Sequence, residues 1–282
     1  MPPEPTNAHL VAGPIWEDVI LLPRLRGTHF SLLLRAGWLV SILLLTLAIE
    51  TRAERRRGSV VCRDEVSSEH RDALAAKLQK ITGWSDLTFD QNGTLRVGNK
   101  DVVGGSKAAR ELVTKAIEGP NVIVLEEASK RSDVVFCRVV PGRWKHHSSG
   151  SPPVYVVLID FADFEYVIGD DRARSAFDVG WAMLHELDHI VNDSGDPASA
   201  GETGECEAHI NRMRRECNLP ERTDYFYTYF PLTGDNTFIA KYVRLAFVEE
   251  DPVLNKKRHY WLLWDAGLVG GLDERKQIAI LR

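Results

Sequence analysis

The sequence predicts an α+β fold, because segments with helical periodicity and segments with strand character occur along the same part of the chain. Residues 67–117 contain two helical patterns that enclose a β-hairpin, and residues 121–160 contain three runs rich in β-branched side chains. A second pair of helical patterns and a final pair of strand patterns come after these runs.

The composition is typical of a folded protein. The chain has 282 residues, of which 44% are hydrophobic, which is enough for one or two globular domains. Its formal net charge is -5 at pH 7. Because nucleic-acid-binding proteins usually carry an excess of positive charge, this balance predicts no nucleic-acid partner.

Residues 1–53 are predicted to be a leader, and residues 59–282 the folded domain. The apolar run Ala36–Ala48 has the length of a signal-peptide core. Three basic residues precede it, Arg24, Arg26 and Arg35. The run is shorter than the roughly 20 apolar residues of a membrane-spanning helix, but adding Phe30–Leu34 makes a signal anchor the alternative. Both interpretations predict export, as a secreted, periplasmic or membrane-anchored protein.

The first half of the domain begins with a helix over Ser67–Ile81, which Gly83 ends. A hairpin comes next, in which Leu87–Phe89 and Leu95–Val97 flank the turn residues Asn92 and Gly93. A second helix is predicted over Ser106–Ile117, before Gly119 and Pro120.

Five further segments read as strands. Asn121–Leu125 and Asp133–Val140 are rich in β-branched residues, and Val154–Asp160 has the strongest strand character in the chain. Near the carboxyl end, Tyr242–Val248 and Arg258–Trp264 predict two more strands joined by a charged loop.

The segment Trp181–Ile190 contains an H-E-x-x-H motif and is predicted to be helical. A helix turns about 100° per residue, so His185 and His189 share one face and can bind one ion. The opposite face is apolar and includes Ala176, Gly180, Met183, Leu187, Ile190 and Val191. On a helix, this motif is a zinc-hydrolase signature in which the glutamate, here Glu186, acts as the general base.

Catalytic zinc has three protein ligands and one open position for water, so a third ligand is expected. After the turn Asn192–Pro197, the pattern of Thr203–Cys217 predicts a second helix that carries Glu205 and Glu207 in its first turns. A carboxylate from this helix would complete a His₂Glu site. We favour Glu207, because Asn211 four residues later can hydrogen-bond a ligand. Glu205 is the alternative.

These residues resemble the H-E-x-x-H zinc metallopeptidases of the zincin group, in a gluzincin-like form. Seven residues beyond the motif are similar to the segment that lies after it in some bacterial effector and toxin-type metallopeptidase domains: Glu207, Asn211, Arg214, Leu219, Pro220, Arg222 and Tyr225. The likeness covers roughly Tyr155–Tyr225. The chain has no N-E-x-x-x-D segment, and it lacks the H-x-x-G-x-x-H extension of the metzincins.

The resemblance implies a zincin-like fold, with a mixed sheet, the H-E-x-x-H helix and a second ligand-bearing helix. It also implies Zn²⁺ on His185 and His189, Glu186 as general base and a downstream glutamate as third ligand. In zincins a strand such as Val154–Asp160 borders the cleft, where it can pair with an extended peptide. The alternative is an ordinary central strand, which its apolar character favours. Arg222 and Tyr225 are candidates to stabilise the oxyanion that forms on the attacked carbonyl.

The predicted function is therefore that of an exported, zinc-dependent metallopeptidase that acts on a peptide or protein through a zinc-activated water. Two alternatives use the same site. One is a zincin-like binding module without activity, which the missing N-E-x-x-x-D segment suggests. The other is an amidase that acts on cell-wall peptides.

Export also affects the interpretation of the four cysteines, Cys62, Cys137, Cys206 and Cys217. An even number in an exported chain permits disulfides, but none shows a C-x-x-C spacing, so four free thiols are the alternative. Cys206 and Cys217 cannot pair with each other on one straight helix, because they lie too far apart along its axis.

Overall fold

In the computed structural model, the strands of the described residues form two β-sheets and a separate hairpin. The structure describes residues 58–129, 131–142, 150–199, 201–224, 228–231, 240–251 and 253–270. They belong to the compact unit Ala53–Arg282. The predicted leader, residues 1–53, lies outside the described residues. Within the described residues, no helix is both long enough and apolar enough to cross a membrane.

The strands run from β1 to β11 along the chain. They are β1 (Ser59–Cys62), β2 (Leu87–Phe89), β3 (Leu95–Val97), β4 (Val122–Glu127), β5 (Cys137–Pro141), β6 (Val154–Ile159), β7 (Ile168–Gly169), β8 (Glu221–Arg222), β9 (Thr228–Pro231), β10 (Ala240–Asp251) and β11 (Lys256–Asp265).

Six α-helices lie between and after these strands in the described residues. They are α1 (Ser68–Thr82), α2 (Lys107–Glu118), α3 (Asp171–Ser175), α4 (Val179–Asn192), α5 (Gly204–Glu216) and α6 (Ala266–Val269), and a 3₁₀ helix spans Ala162–Tyr166. The α+β class and the mixed sheet predicted from the sequence are therefore confirmed.

The first sheet has the order β1-β4-β6-β5. Strands β1, β4 and β6 are parallel, and β5 is antiparallel to β6 at the edge of the sheet. The second sheet has the order β7-β11-β10-β8, with β9 also paired to β10, and its pairings are antiparallel. Strands β2 and β3 form the predicted hairpin.

The helix boundaries are set by local capping. The side chain of Ser67 accepts a hydrogen bond from the backbone N–H of His70 at the start of α1, and Gly83 ends α1 in the left-handed region at φ 76°. The Ser106 hydroxyl caps α2 in the same way through the N–H of Ala109. Asp178 caps α4 by accepting from the N–H groups of Gly180 and Trp181.

One strand prediction was too long. Asp133–Val140 was expected to be extended throughout, but β5 begins only at Cys137. The reason is that Phe136 has a positive φ of 64°, which a bulky side chain rarely adopts and which interrupts the extended chain. The carboxylate of Asp163 accepts a hydrogen bond from the N–H of Phe136 at 2.8 Å and so stabilises this conformation.

Helix α4 occupies the centre of the domain. It packs against α1, α2 and α5 on its helical sides and against β5 and β6 of the first sheet. Met183, Leu184 and Leu187 are fully buried in the main core. Close packing with α1 requires a glycine, because a Cβ atom on Gly180 would lie only 2.8 Å from Cβ of Lys77.

A second apolar core lies around the long hairpin of β10 and β11. Trp264 and Phe247 are buried there together with Phe136. The ring of Phe136 makes edge contacts with Trp264 and Phe177 at centroid distances of 5.0 and 4.9 Å. Phe136 therefore joins the edge of the first sheet to the second core.

Candidate metal centre

The two histidines of the motif converge, as their spacing on one helix predicts. Nε2 of His185 and Nε2 of His189 are 3.1 Å apart, and the two rings are nearly perpendicular. Two ligands bound to one tetrahedral zinc at about 2.0–2.1 Å lie roughly 3.3 Å from each other. The pair thus has the separation that a shared ion requires.

Asp196 completes a triangle with these nitrogens. Its Oδ1 atom lies 3.2 Å from Nε2 of His185 and 3.5 Å from Nε2 of His189. All three separations are close to the value for ligands of one tetrahedral zinc. Two imidazole nitrogens and a carboxylate oxygen are also a donor set that zinc accepts, so these residues fit the ion that the motif implies.

The segment after α4 brings Asp196 to this position. Asp193 adopts the left-handed conformation at φ 54° and ends the helix. The carbonyl oxygen of Ser194 then lies 2.7 Å from Nδ1 of His189, and the carbonyl of Gly195 accepts the N–H of Cys206 on α5. These two contacts hold the turn to α4 and to α5, and Asp196 is the next residue after them.

Cys206 is the fourth member of the cluster. Ligand atoms of His185, His189, Asp196 and Cys206 all lie within 4.8 Å of one another. The Sγ atom is 3.3 Å from Nδ1 of His185, the ring nitrogen that is not shared with His189. Burial raises the pKa of this thiol to about 11, so it is protonated at neutral pH and can donate to the carbonyl oxygen of His185.

The geometry does not support Glu207 as the third ligand. Its Oε2 atom is 3.5 Å from Nδ1 of His185, on the opposite side of the ring from the converging Nε2 atoms. The carboxylate instead pairs with Arg214, and with Arg222 at 3.2 Å. Burial opposes its ionisation, but the two guanidinium groups outweigh burial and hold the pKa of Glu207 well below its usual value.

Glu205, the alternative third ligand, and Asn211, the residue expected to support a ligand, also lie in positions that differ from the prediction. Glu205 is exposed on α5, and among the described residues it does not belong to the cluster of possible ligands. Asn211 does not hold a metal ligand but binds the start of β8, since it exchanges two hydrogen bonds of 2.8 Å with the backbone of Arg222. Both predictions relied on helical spacing, which does not give the direction in which α5 presents each side chain.

Glu186 is buried between α4 and the edge strand of the first sheet. Its Oε2 atom accepts a hydrogen bond of 2.8 Å from the N–H of Val139 in β5. Burial raises the pKa of Glu186, while the nearby histidines act in the opposite direction. A carboxylate in such an environment has a proton affinity closer to that of a general base working near neutral pH.

The charge around His185 favours a bound cation. Burial alone would lower the pKa of His185, but hydrogen bonds with Asp196, Cys206 and Glu207 outweigh burial and raise the pKa well above 6.5. Groups that stabilise a proton on this ring also stabilise a positively charged ion at the same place.

The position of His189 is supported by a network that sequence patterns did not indicate. Asp188 is completely buried, and its carboxylate accepts hydrogen bonds from the Ser194 hydroxyl at 2.5 Å and the Asn192 amide at 2.6 Å. Nδ1 of His209 lies 2.9 Å from the same carboxylate. Because the carbonyl of Ser194 contacts Nδ1 of His189, the network leaves Nε2 of that ring for the metal.

Arg222 and Tyr225 were the candidates for stabilising the oxyanion, and the structure describes only Arg222. Arg222 is buried and lines a cavity of about 70 Å³ together with Glu186 and His185. Its guanidinium pairs with Glu207 and donates through Nε to the carbonyl oxygen of Asp224. The assignment of Tyr225 falls on a residue outside the described part of the chain.

The strand expected to pair with a peptide is not available for pairing. Val154–Ile159, strand β6, is hydrogen-bonded to β4 on one side and to β5 on the other, so both of its edges are occupied. It is the ordinary central strand that its apolar sequence also allowed. The edge that faces α4 belongs to β5.

The four cysteines match the alternative of free thiols. All four are free thiols. Burial raises the pKa of Cys62 to about 12 and that of Cys137 well above its usual value. Cys62 and Cys206 are buried, Cys137 and Cys217 are partly buried, and no disulfide joins them.

Comparison with known proteins adds no relative to this description. No protein-family model matches the chain, and no curated protein or solved structure matches it.

Proposed function

We propose that the chain is a zinc-dependent metallopeptidase with a zincin-like fold, in which His185, His189 and Asp196 hold the metal. The observation that carries this proposal is the triangle of Nε2, Nε2 and Oδ1 atoms, with sides of 3.1, 3.2 and 3.5 Å, on and beside an H-E-x-x-H helix. The zincin-like fold is supported by the packing of this helix against a mixed sheet.

Peptide-bond hydrolysis at this site would depend on the bound zinc, Glu186 and Arg222. Bound zinc would supply a Lewis acid that polarises a carbonyl group and acidifies water. Glu186 would take a proton from the attacking water and transfer it to the leaving amine. Its hydrogen bond to the N–H of Val139 fixes the carboxylate at the edge of the sheet. Arg222, which lines the same cavity, is the residue we propose for stabilising negative charge on the carbonyl oxygen.

The substrate we propose is a peptide or protein met outside the cytoplasm. Export is supported only by the apolar run Ala36–Ala48 and the basic residues before it. Signal-peptide cleavage and membrane anchoring through this run remain the two forms of that prediction.

The test is to measure zinc and turnover together on the purified full chain. We expect about one zinc per chain by elemental analysis, and cleavage of members of a mixed peptide library. Glu186→Gln should keep the zinc and lose about 10²–10⁴-fold in cleavage rate. Glu165→Gln, a change at an exposed glutamate outside the site, is the matched control and should behave as the wild type.

Each contrary outcome has a definite meaning. A wild-type chain without zinc contradicts the metal site. Zinc without cleavage of any peptide, cell-wall stem peptides included, contradicts the hydrolase and favours a binding module. Cleavage restricted to cell-wall stem peptides replaces the metallopeptidase with the amidase.

A further inference from the structure

A buried cluster of two arginines and one glutamate lies next to the candidate metal centre. We call Glu207, Arg214 and Arg222 the arginine cluster. All three side chains are at least nine-tenths buried, and Arg214 is only 2% exposed. Burying two guanidinium groups is costly unless each has a carboxylate or hydrogen-bond partner.

Two guanidinium groups and two carboxylates, those of Glu186 and Glu207, line the cavity next to the arginine cluster. Both guanidinium groups contact the same carboxylate, that of Glu207. Glu186 lines the same cavity, but its carboxylate is bonded to the backbone of β5. Arg214 and Arg222 therefore share one carboxylate, and the remaining hydrogen-bond donors of Arg214 decide whether the cavity can bind a further anion.

The hydrogen-bond donors of Arg214 are only partly used. Its Nε atom donates to the carbonyl oxygen of Ala176, and Nη1 donates to Glu207 and Asn211. The guanidinium is also held between the rings of Trp181 and Phe247, at 5.4 and 5.6 Å. Within the described residues, Nη2 donates no hydrogen bond, although the side chain lines the cavity.

The same cavity contains both the two arginines and the residues of the proposed reaction site. Its volume is about 70 Å³, and its lining includes Arg214 and Arg222 as well as His185 and Glu186. Phe136, Phe177 and Trp181 supply apolar lining in the same cavity. Guanidinium donors next to aromatic rings suit an anion carried on a short apolar stem.

We propose that this cavity is a substrate subsite that binds a carboxylate through Arg214, with Arg222 as the second positive charge of the cavity. Nη2 of Arg214 can donate to a carboxylate oxygen, and the volume of about 70 Å³ suits a carboxyl group with one or two methylenes. On a peptide, that group comes from an aspartate or glutamate side chain or from the carboxyl terminus. The subsite would select such a group next to the bond that Glu186 acts on. This last step rests on the proposed function, whereas carboxylate binding itself does not.

The test measures binding of three small probes that differ only in where a carboxylate stands. N-acetylglutamate α-amide has only the side-chain carboxylate, N-acetylglutamine has only the terminal one, and N-acetylglutamine α-amide has neither. Titration calorimetry on the zinc-loaded full chain should detect at least one acid and should not detect the diamide. The acid that binds identifies the source of the carboxylate.

Variants separate the arginine cluster from the metal. Arg214→Lys keeps the charge but loses the Nη2 donor, and it should weaken binding of the acid by at least about tenfold. Arg222→Gln removes the second positive charge and should act in the same direction if Arg214→Lys does not fold. Arg212→Lys, at an exposed arginine on the same helix, should leave binding unchanged.

His189→Ala removes a metal ligand without touching the arginine cluster, so binding that persists in this variant supports the subsite. Binding that is lost in His189→Ala and kept in both arginine variants means that the acid binds zinc, which overturns the subsite. A wild-type chain that binds neither acid also overturns it. Binding without peptide cleavage keeps the subsite and contradicts only the proposed function.

Discussion

Oδ1 of Asp196 lies 3.2 Å from Nε2 of His185, although ten residues and the end of a helix separate the two. The left-handed conformation of Asp193 turns the chain back towards the helix face that carries the histidines. The third donor atom of the candidate centre thus comes from the turn directly after α4 and not from the second helix.

Replacing Asp196 should therefore remove the metal. We expect Asp196→Ala to lose stoichiometric zinc after dialysis, because only His185 and His189 remain of the three ligands that we propose. Glu207→Gln should keep zinc, since that carboxylate faces the other nitrogen of His185. Elemental analysis of both variants decides which of the two carboxylates is the third zinc ligand. Zinc retained in Asp196→Ala and lost in Glu207→Gln would restore the His₂Glu assignment.

The hydroxyl of Ser194 should affect zinc affinity without touching the metal. It donates to the buried carboxylate of Asp188 and so fixes the carbonyl that contacts Nδ1 of His189. We expect Ser194→Ala to weaken zinc affinity by about 10- to 100-fold, the range found for residues that orient metal ligands. Competition with a chelator measures this. Ser175→Ala, whose hydroxyl bonds only its own helix, is the control, and an equal loss in both variants would contradict the role of Ser194.

Asp163 should make the stability of the fold depend on pH. Burial raises the pKa of this carboxyl group from 3.8 to about 6, against the effect of its hydrogen bond from Phe136. Between these values the native state binds more protons than the unfolded state, so the free energy of unfolding falls as pH rises through the window. The free energy of unfolding should change by about 3 kcal/mol across this window.

Asp163→Asn removes this titration and can keep an acceptor for the N–H of Phe136. Relative to the wild type, the variant should therefore gain up to about 3 kcal/mol between pH 4 and pH 7. Urea unfolding at the two pH values measures the difference. A constant difference between the two proteins would show that Asp163 does not titrate in this range.

Gly180 should tolerate no side chain, because α1 passes too close to α4. An added Cβ would meet Cβ of Lys77 at 2.8 Å and the end of the Ile81 side chain at 2.9 Å. We expect Gly180→Ala to lower the free energy of unfolding by about 1–2 kcal/mol, since overpacking exceeds the gain in helix propensity. Gly195→Ala, where a Cβ meets no atom within 4 Å, should change the stability by less than about 0.5 kcal/mol. A stabilised Gly180→Ala variant would show that the two helices can separate at little cost.

The sequence by itself determined the four longer helices, the short hairpin, the longer strands and the two histidines of the candidate centre, but not the short strands β1, β7, β8 and β9 or the short helices α3 and α6. Periodicity and capping residues predicted α1, α2, α4 and α5, because these signals act within a few residues of the chain. The spacing of His185 and His189 brought their rings together for the same local reason. The burial of β6 was also readable from its apolar run, which is typical of a strand with neighbours on both sides.

Only the tertiary structure decided which carboxylate meets the histidines. Asp196 and Glu207 are both acidic residues near the motif, and no local pattern ranks them. The turn at Asp193 and the packing of α5 direct the first towards the Nε2 atoms and the second towards two buried arginines. The positive φ of Phe136 depends in the same way on a distant carboxylate, that of Asp163. Contacts between residues far apart in the chain depend on how whole elements pack, and a pattern read along the chain does not contain that information.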